Sequence, residues 1–192
     1  MDNKFFTFCK PYFDFIDQGH LYRKPFSWLY AFFGIINLLA PIWILAEAID
    51  NDIFDEKAKV VLIFLLIWAV SALASWVSFQ LWWDRRSKLE NTSHVDDDFV
   101  ATPVFSHLIQ TFGEWMGTWI GIVGTISALI ATLLLGDDAN FLLYSIGLDF
   151  LSAGFGSIIS MPFIGFLIIV FSRFVAEQFR ALASIANNTK KS

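Results

Sequence analysis

The chain has 192 residues, 56% of them hydrophobic and 18% aromatic, and its 16% charged fraction falls well below the roughly one quarter typical of a water-soluble domain. A net charge of −5 with no basic patch excludes nucleic acid as an expected partner. The lone Cys9 excludes an internal disulfide and a cysteine-based metal cage, and reads as a small apolar residue or an acylation site.

Residues 1–24 precede the first apolar run, and no signal-peptide cleavage pattern is expected there. Phe5, Phe8, Cys9, Tyr12, Phe13 and Ile16 share one helical face, with Lys10, Asp14 and Asp17 opposite. That amphipathic pattern fits either a helix lying in the membrane interface or an aromatic arm packed on the bundle, with Pro11 starting or breaking it.

Four stretches lack Asp, Glu, Lys and Arg altogether: 25–46, 60–83, 115–135 and 150–172. A helix rising about 1.5 Å per residue needs about 20 apolar residues to cross the hydrocarbon layer, and lipid admits only helices or closed barrels. The expected fold is therefore an all-α integral membrane protein, a four-transmembrane-helix bundle of two hairpins in a single membrane domain, 1–192. Its spans are expected at about 25–47, 59–83, 107–135 and 154–175, with a polar loop at 84–103 and a tail at 176–192.

Eleven of the thirteen Lys and Arg residues fall before the first span, between the second and third, or after the fourth. Basic residues resist export, so both termini and the middle loop are assigned to the cytoplasm. Trp28, Trp82, Trp83, Trp115 and Trp119 are read as an aromatic belt at that same interface.

In the first span, Pro41 is expected to kink the helix, and Asn37 is a buried amide needing a partner on a neighbouring helix. In the second, Ser71, Ser75 and Ser78 with Ala72 and Ala74 form a small-residue face for close helix contact. The third apolar stretch, 104–135, is too long for one perpendicular crossing, so it either tilts or projects into the cytoplasm. Residues 141–153 read as an outer interfacial segment turning at Gly154 and Gly156, after which Pro162 bends the last span. The pattern Ser27-x-Leu29-x-x-x-Phe33-Gly34 recurs as Ser106-x-Leu108-x-x-x-Phe112-Gly113, in keeping with a parallel repeat or with common membrane composition.

Three constellations stand out. Gly113, Gly117, Gly121 and Gly124 line one face of the third span for close helix packing, against the first span, the fourth or a second copy of the chain. Beside it runs a polar stripe of His107, Gln110, Glu114 and Thr118, continued by Thr111 and Thr125. Glu114 is either the titratable site of an ion or proton path or a solvated or ion-paired residue at the boundary, and the second reading is preferred because the span is complete without it. Arg173, Glu177 and Arg180 are spaced to align as an ion triad on one helical face. Asp149 is assigned to the outer surface.

No catalytic residues, metal ligands or cofactor are expected. His20, His94 and His107 have no paired-ligand spacing, and His94 near Asp96 supplies too few ligands for a metal. The leading expectation is a non-enzymatic inner-membrane subunit or scaffold that contacts the lipid bilayer and associates with protein partners or with itself. A small channel or transporter using the Glu114 stripe is the alternative.

The tail from Arg173 through Glu177 to Ile185 and Asn187 resembles the end of an uncharacterised bacterial family of small two-helix membrane proteins, which close on a similar Arg-x-x-x-Glu step followed by Ile and Asn. The likeness covers about fifteen residues, and this chain differs in having four spans. The resemblance implies a bacterial inner-membrane hairpin protein and carries no activity.

Overall fold

A computed structural model describes residues 4–17, 20–89 and 101–191, and every regular element among them is helical. The helices are α1 (Lys4–Asp17), α2 (His20–Asp50), α3 (Ala58–Leu89), α4 (Ala101–Thr118), α5 (Thr125–Leu135), α6 (Ala139–Ser145) and α7 (Phe155–Lys191). A π-helix, Trp119–Gly124, joins α4 to α5 without a break. Four stretches are long and apolar enough to cross a membrane: Lys24–Asp50, Ala58–Leu89, Ala101–Ser145 and Phe155–Thr189.

All four turn large apolar side chains outward, among them Trp28, Leu73, Leu133 and Phe171. Continuous apolar flanks of this extent are costly in water and acceptable in lipid. The inward faces hold Tyr30, Ile63, Phe64, Ile67, Trp82 and Val123. Helix α2 packs along α3, and α4 along α7.

Prolines lie inside three of the helices without interrupting them. Helix α1 runs through Pro11, which neither starts nor breaks it. Helix α2 continues through Pro41, whose carbonyl accepts a hydrogen bond from the Trp68 indole N–H at 2.8 Å. Helix α7 likewise contains Pro162.

One reading is refined and one corrected. The segment 141–153 has two faces: Leu142, Leu143, Ile146, Leu148 and Leu151 are buried in the core cluster at the bundle's end, while Phe141, Tyr144 and Phe150 point outward. The turn falls on Gly154, at φ +123°, and Gly156 is already helical. The five tryptophans also form no common belt. Trp82 and Trp119 are buried, Trp115 is half-buried, and only Trp28 and Trp83 point their rings outward. Their indoles instead serve the interior: Trp82 stacks on Phe33 at 4.9 Å, and Trp119 donates to Ser78 Oγ at 2.8 Å.

Candidate functional site

One end of the bundle gathers the strongest polar contacts. Arg85, Glu114 and Arg173 each stand just outside an uncharged run, so three helices bring them to the same level at the hydrocarbon boundary. Glu114 is buried and accepts four hydrogen bonds. Its Oε1 accepts from Arg173 Nε at 2.9 Å, from Arg173 Nη2 at 2.7 Å and from Gln110 Nε2 at 2.8 Å. Its Oε2 accepts from Arg85 Nη2 at 3.0 Å. Two charge-assisted contacts from different helices to one carboxylate fix their relative height and rotation.

The neighbouring turn extends this network. Arg180 Nη2 donates to Gln110 Oε1 at 2.8 Å, so Gln110 links Arg180 to Glu114. Tyr30 Oη hydrogen-bonds His107 Nδ1 at 2.8 Å and lies 3.4 Å from Thr111 Oγ1. Arg86 Nε donates to Ser27 Oγ at 2.9 Å, and its guanidinium sits 5.1 Å from the centre of the Trp83 ring. Removing the phenol hydroxyl by Tyr30→Phe is expected to cost about 1 kcal/mol, because His107 Nδ1 loses its partner in a buried place. Thermal unfolding in detergent micelles reads this as a lowered Tm, and an unchanged Tm would mean that the hydroxyl contributes nothing.

Thr118 donates to its own helix, to the Glu114 carbonyl at 2.6 Å. The stripe therefore divides: His107, Gln110 and Glu114 form inter-helix contacts, while Thr118 and Thr125 bond backward along their own backbone. Deeper in the bundle, Trp115 Nε1 donates to Asn37 Oδ1 at 2.9 Å, which supplies the partner that Asn37 needs. Ser71 and Ser75 on α3 and Ser127 on α5 are buried with no hydrogen-bond partner among the described residues.

The expected triad does not form. Among the described residues Glu177 pairs with neither Arg173 nor Arg180, because both arginines turn across to α4, where the buried Glu114 and the half-buried Gln110 hold them better than an exposed carboxylate.

The glycine face meets α7. A Cβ at Gly117 would stand 2.5 Å from the Gly165 carbonyl oxygen, and one at Gly165 would stand 2.6 Å from Gly121 Cα. Gly113 faces the Ser172 side chain, and Gly124 faces Met161 and Leu151. Of the three partners open to this face, the fourth span occupies it. Gly165, Ser172 and Arg85 escaped the sequence reading. Spacing of seven places Gly165 and Ser172 on one face of the last span, which was a usable signal. Arg85 and Glu114 sharing the boundary level was another.

A cleft of about 680 Å³ lies between α2 and the α4–π junction, lined by Phe33, Ile36, Trp43, Trp115, Trp119 and the Ile146–Leu148 turn. Asp149 is exposed, as expected, and Glu47 accepts a hydrogen bond from Trp43 Nε1 at 2.8 Å. His94, Asp96 and the rest of 90–100 lie outside the described residues, as does the side chain of His20. Among the described residues no group of three His, Cys, Asp or Glu side chains is placed to hold a metal. No family model, curated protein or solved structure matches the chain.

Proposed function

We propose that this chain is a non-enzymatic multi-pass protein of the bacterial cytoplasmic membrane, acting as a subunit or scaffold of a membrane assembly. In this reading two hairpins cross the bilayer, with both termini and the middle loop in the cytoplasm. The distribution of Lys and Arg supports the orientation. The likeness of the tail supports the compartment.

The observation that carries the reading is the state of Glu114. It is clamped by Arg85 and Arg173 and accepts a further bond from Gln110, which suits a brace between helices and not a site that must release and rebind a cation. The glycine face is used inside the chain, so contact with partners falls to the outward apolar flanks, such as Phe32, Ile35 and Leu39 on α2 and Phe163, Phe166 and Val170 on α7. Extraction of membranes into native nanodiscs is expected to yield particles heavier than one copy. Particles holding one copy and no other protein would end this reading.

A small channel or transporter is the second reading, favoured by the unpartnered hydroxyls of Ser71, Ser75 and Ser127 and by the adjoining π-helix, an irregularity frequent at functional sites. Ion and proton flux in liposomes separates the two. The subunit reading expects parent protein to match empty liposomes. Flux that Glu114→Gln abolishes would establish transport instead.

A further inference from the structure

We infer that the cluster of Arg85, Arg173 and Arg180 binds a phosphate group at the membrane boundary, and that the group belongs to an anionic lipid headgroup. The inference is independent of the subunit reading.

The first ground is charge. The segments 84–88, 110–114 and 173–180 carry five cations and three carboxylates, an excess of two positive charges. Of the carboxylates, Asp84 is matched by Lys88 at 2.7 Å, and Glu114 is enclosed by its donors. Glu177 is exposed and pairs with none of these three arginines among the described residues.

The second ground is unused donors. A guanidinium has five N–H groups in a planar fork that matches phosphate oxygens. Arg173 directs two donor nitrogens at Glu114, Arg180 directs one at Gln110 and one at the Ala176 carbonyl, and Arg85 directs one at Glu114. The remaining N–H groups have no acceptor among the described residues; Arg85 Nε is one of them but is buried, so the outer nitrogens of its guanidinium are the ones an anion can meet. Glu114 and Gln110 hold the three guanidinia in place, so little side-chain entropy is lost when an anion arrives.

The third ground is position. Arg173 directly follows its uncharged run and Arg85 lies one residue beyond Asp84 at the end of another, at the depth where lipid phosphates lie, and Arg180 stands two helical turns further along α7. The Arg173 side chain is 52% exposed, and Arg85 is 22% exposed, so an incoming anion can reach them. An excess of two charges favours a headgroup carrying two negative charges over one carrying a single charge.

The test uses the full chain in detergent, titrated with short-chain phosphatidic acid, phosphatidylglycerol and phosphatidylcholine, with binding read by native mass spectrometry. One phosphatidic acid is expected to bind per chain, about fivefold tighter than phosphatidylglycerol, with phosphatidylcholine weaker still. Arg180→Gln, outside the Glu114 clamp, is expected to weaken that binding about fivefold, while Lys190→Gln with Lys191→Gln leaves it unchanged. Equal losses in both variants, or no preference among the lipids, would reduce the cluster to general surface charge and overturn the site. Excess inorganic phosphate is expected to leave the lipid bound, and displacement would overturn the lipid as the source. Neutralising Asp96, Asp97 and Asp98 to Asn is expected to change nothing. A rise in lipid affinity would show that those carboxylates are the occupant and overturn the proposal.

Discussion

Glu114→Ala is expected to destabilise the fold by about 3 kcal/mol, because it leaves two arginines without the carboxylate that holds them. The value belongs at the low end of the range for broken buried pairs, since Arg173 is half exposed and can turn to water or headgroups. Unfolding in bicelles, followed by steric trapping, measures the change. The same physics predicts a recovery. Glu114→Leu combined with Arg85→Met and Arg173→Met removes all three charges together and should regain most of the loss, since no ion is then left unpaired. A single Glu114→Ala variant within about 0.5 kcal/mol of the parent would show a carboxylate already satisfied by solvent, which contradicts its burial.

Gly165→Leu should be at least as damaging. The backbones of α7 and of the α4–π segment touch at this level, and even a methyl at 165 would collide with the Gly117 carbonyl and with Gly121. The obstacle is backbone, so no side-chain rotation relieves it. The helices must separate, losing dispersion contacts along the seam. Replacing glycine inside a helix recovers up to about 1 kcal/mol of helical propensity, whereas overpacking typically costs about 1–3 kcal/mol, more for a side chain the size of leucine. The clash therefore wins, and a net loss of about 3 kcal/mol is expected in the same unfolding assay. Gly156→Ala is the matched control: the site is helical and open, so it should be neutral or slightly stabilising. If Gly165→Leu behaved like Gly156→Ala, the seam would not be the closest contact in the bundle.

Much of this architecture can be read from the chain, and the parts that cannot have a common cause. Uncharged runs of the right length locate the helices, because the cost of a charge in hydrocarbon acts on every residue locally. The recurrence from Gly113 to Gly124 marks a packing face for the same reason: glycine in a helix needs a neighbour to justify it. What the pattern lacks is the identity of the neighbour. Gly165 and Ser172 are ordinary in isolation, and only the pairing of α4 with α7 gives them meaning. The arginines teach the same lesson. Spacing along α7 points Arg173 and Arg180 at Glu177, yet a buried acceptor on another helix outcompetes an exposed one on the same helix. The tryptophans mislead for a related reason. Indole suits the headgroup region, but a bundle with Asn37, Ser78 and the Pro41 carbonyl inside it also needs N–H donors.

The stretch Trp119–Gly124 also has a geometric effect on its helix. One extra residue in the winding sets every later side chain back by about 100° around the axis, relative to an uninterrupted α-helix. The rod thereby turns its glycines toward α7 in one half and Ser127, Ala128 and Ala131 inward in the other. A straight cylinder could not serve both neighbours with these residues. This short coil acts as a phase shifter: removing one residue from it would let the turn close as ordinary α-helix with the distal half facing the same neighbours, whereas removing one from the regular helix beyond it would turn the remainder by about 100°.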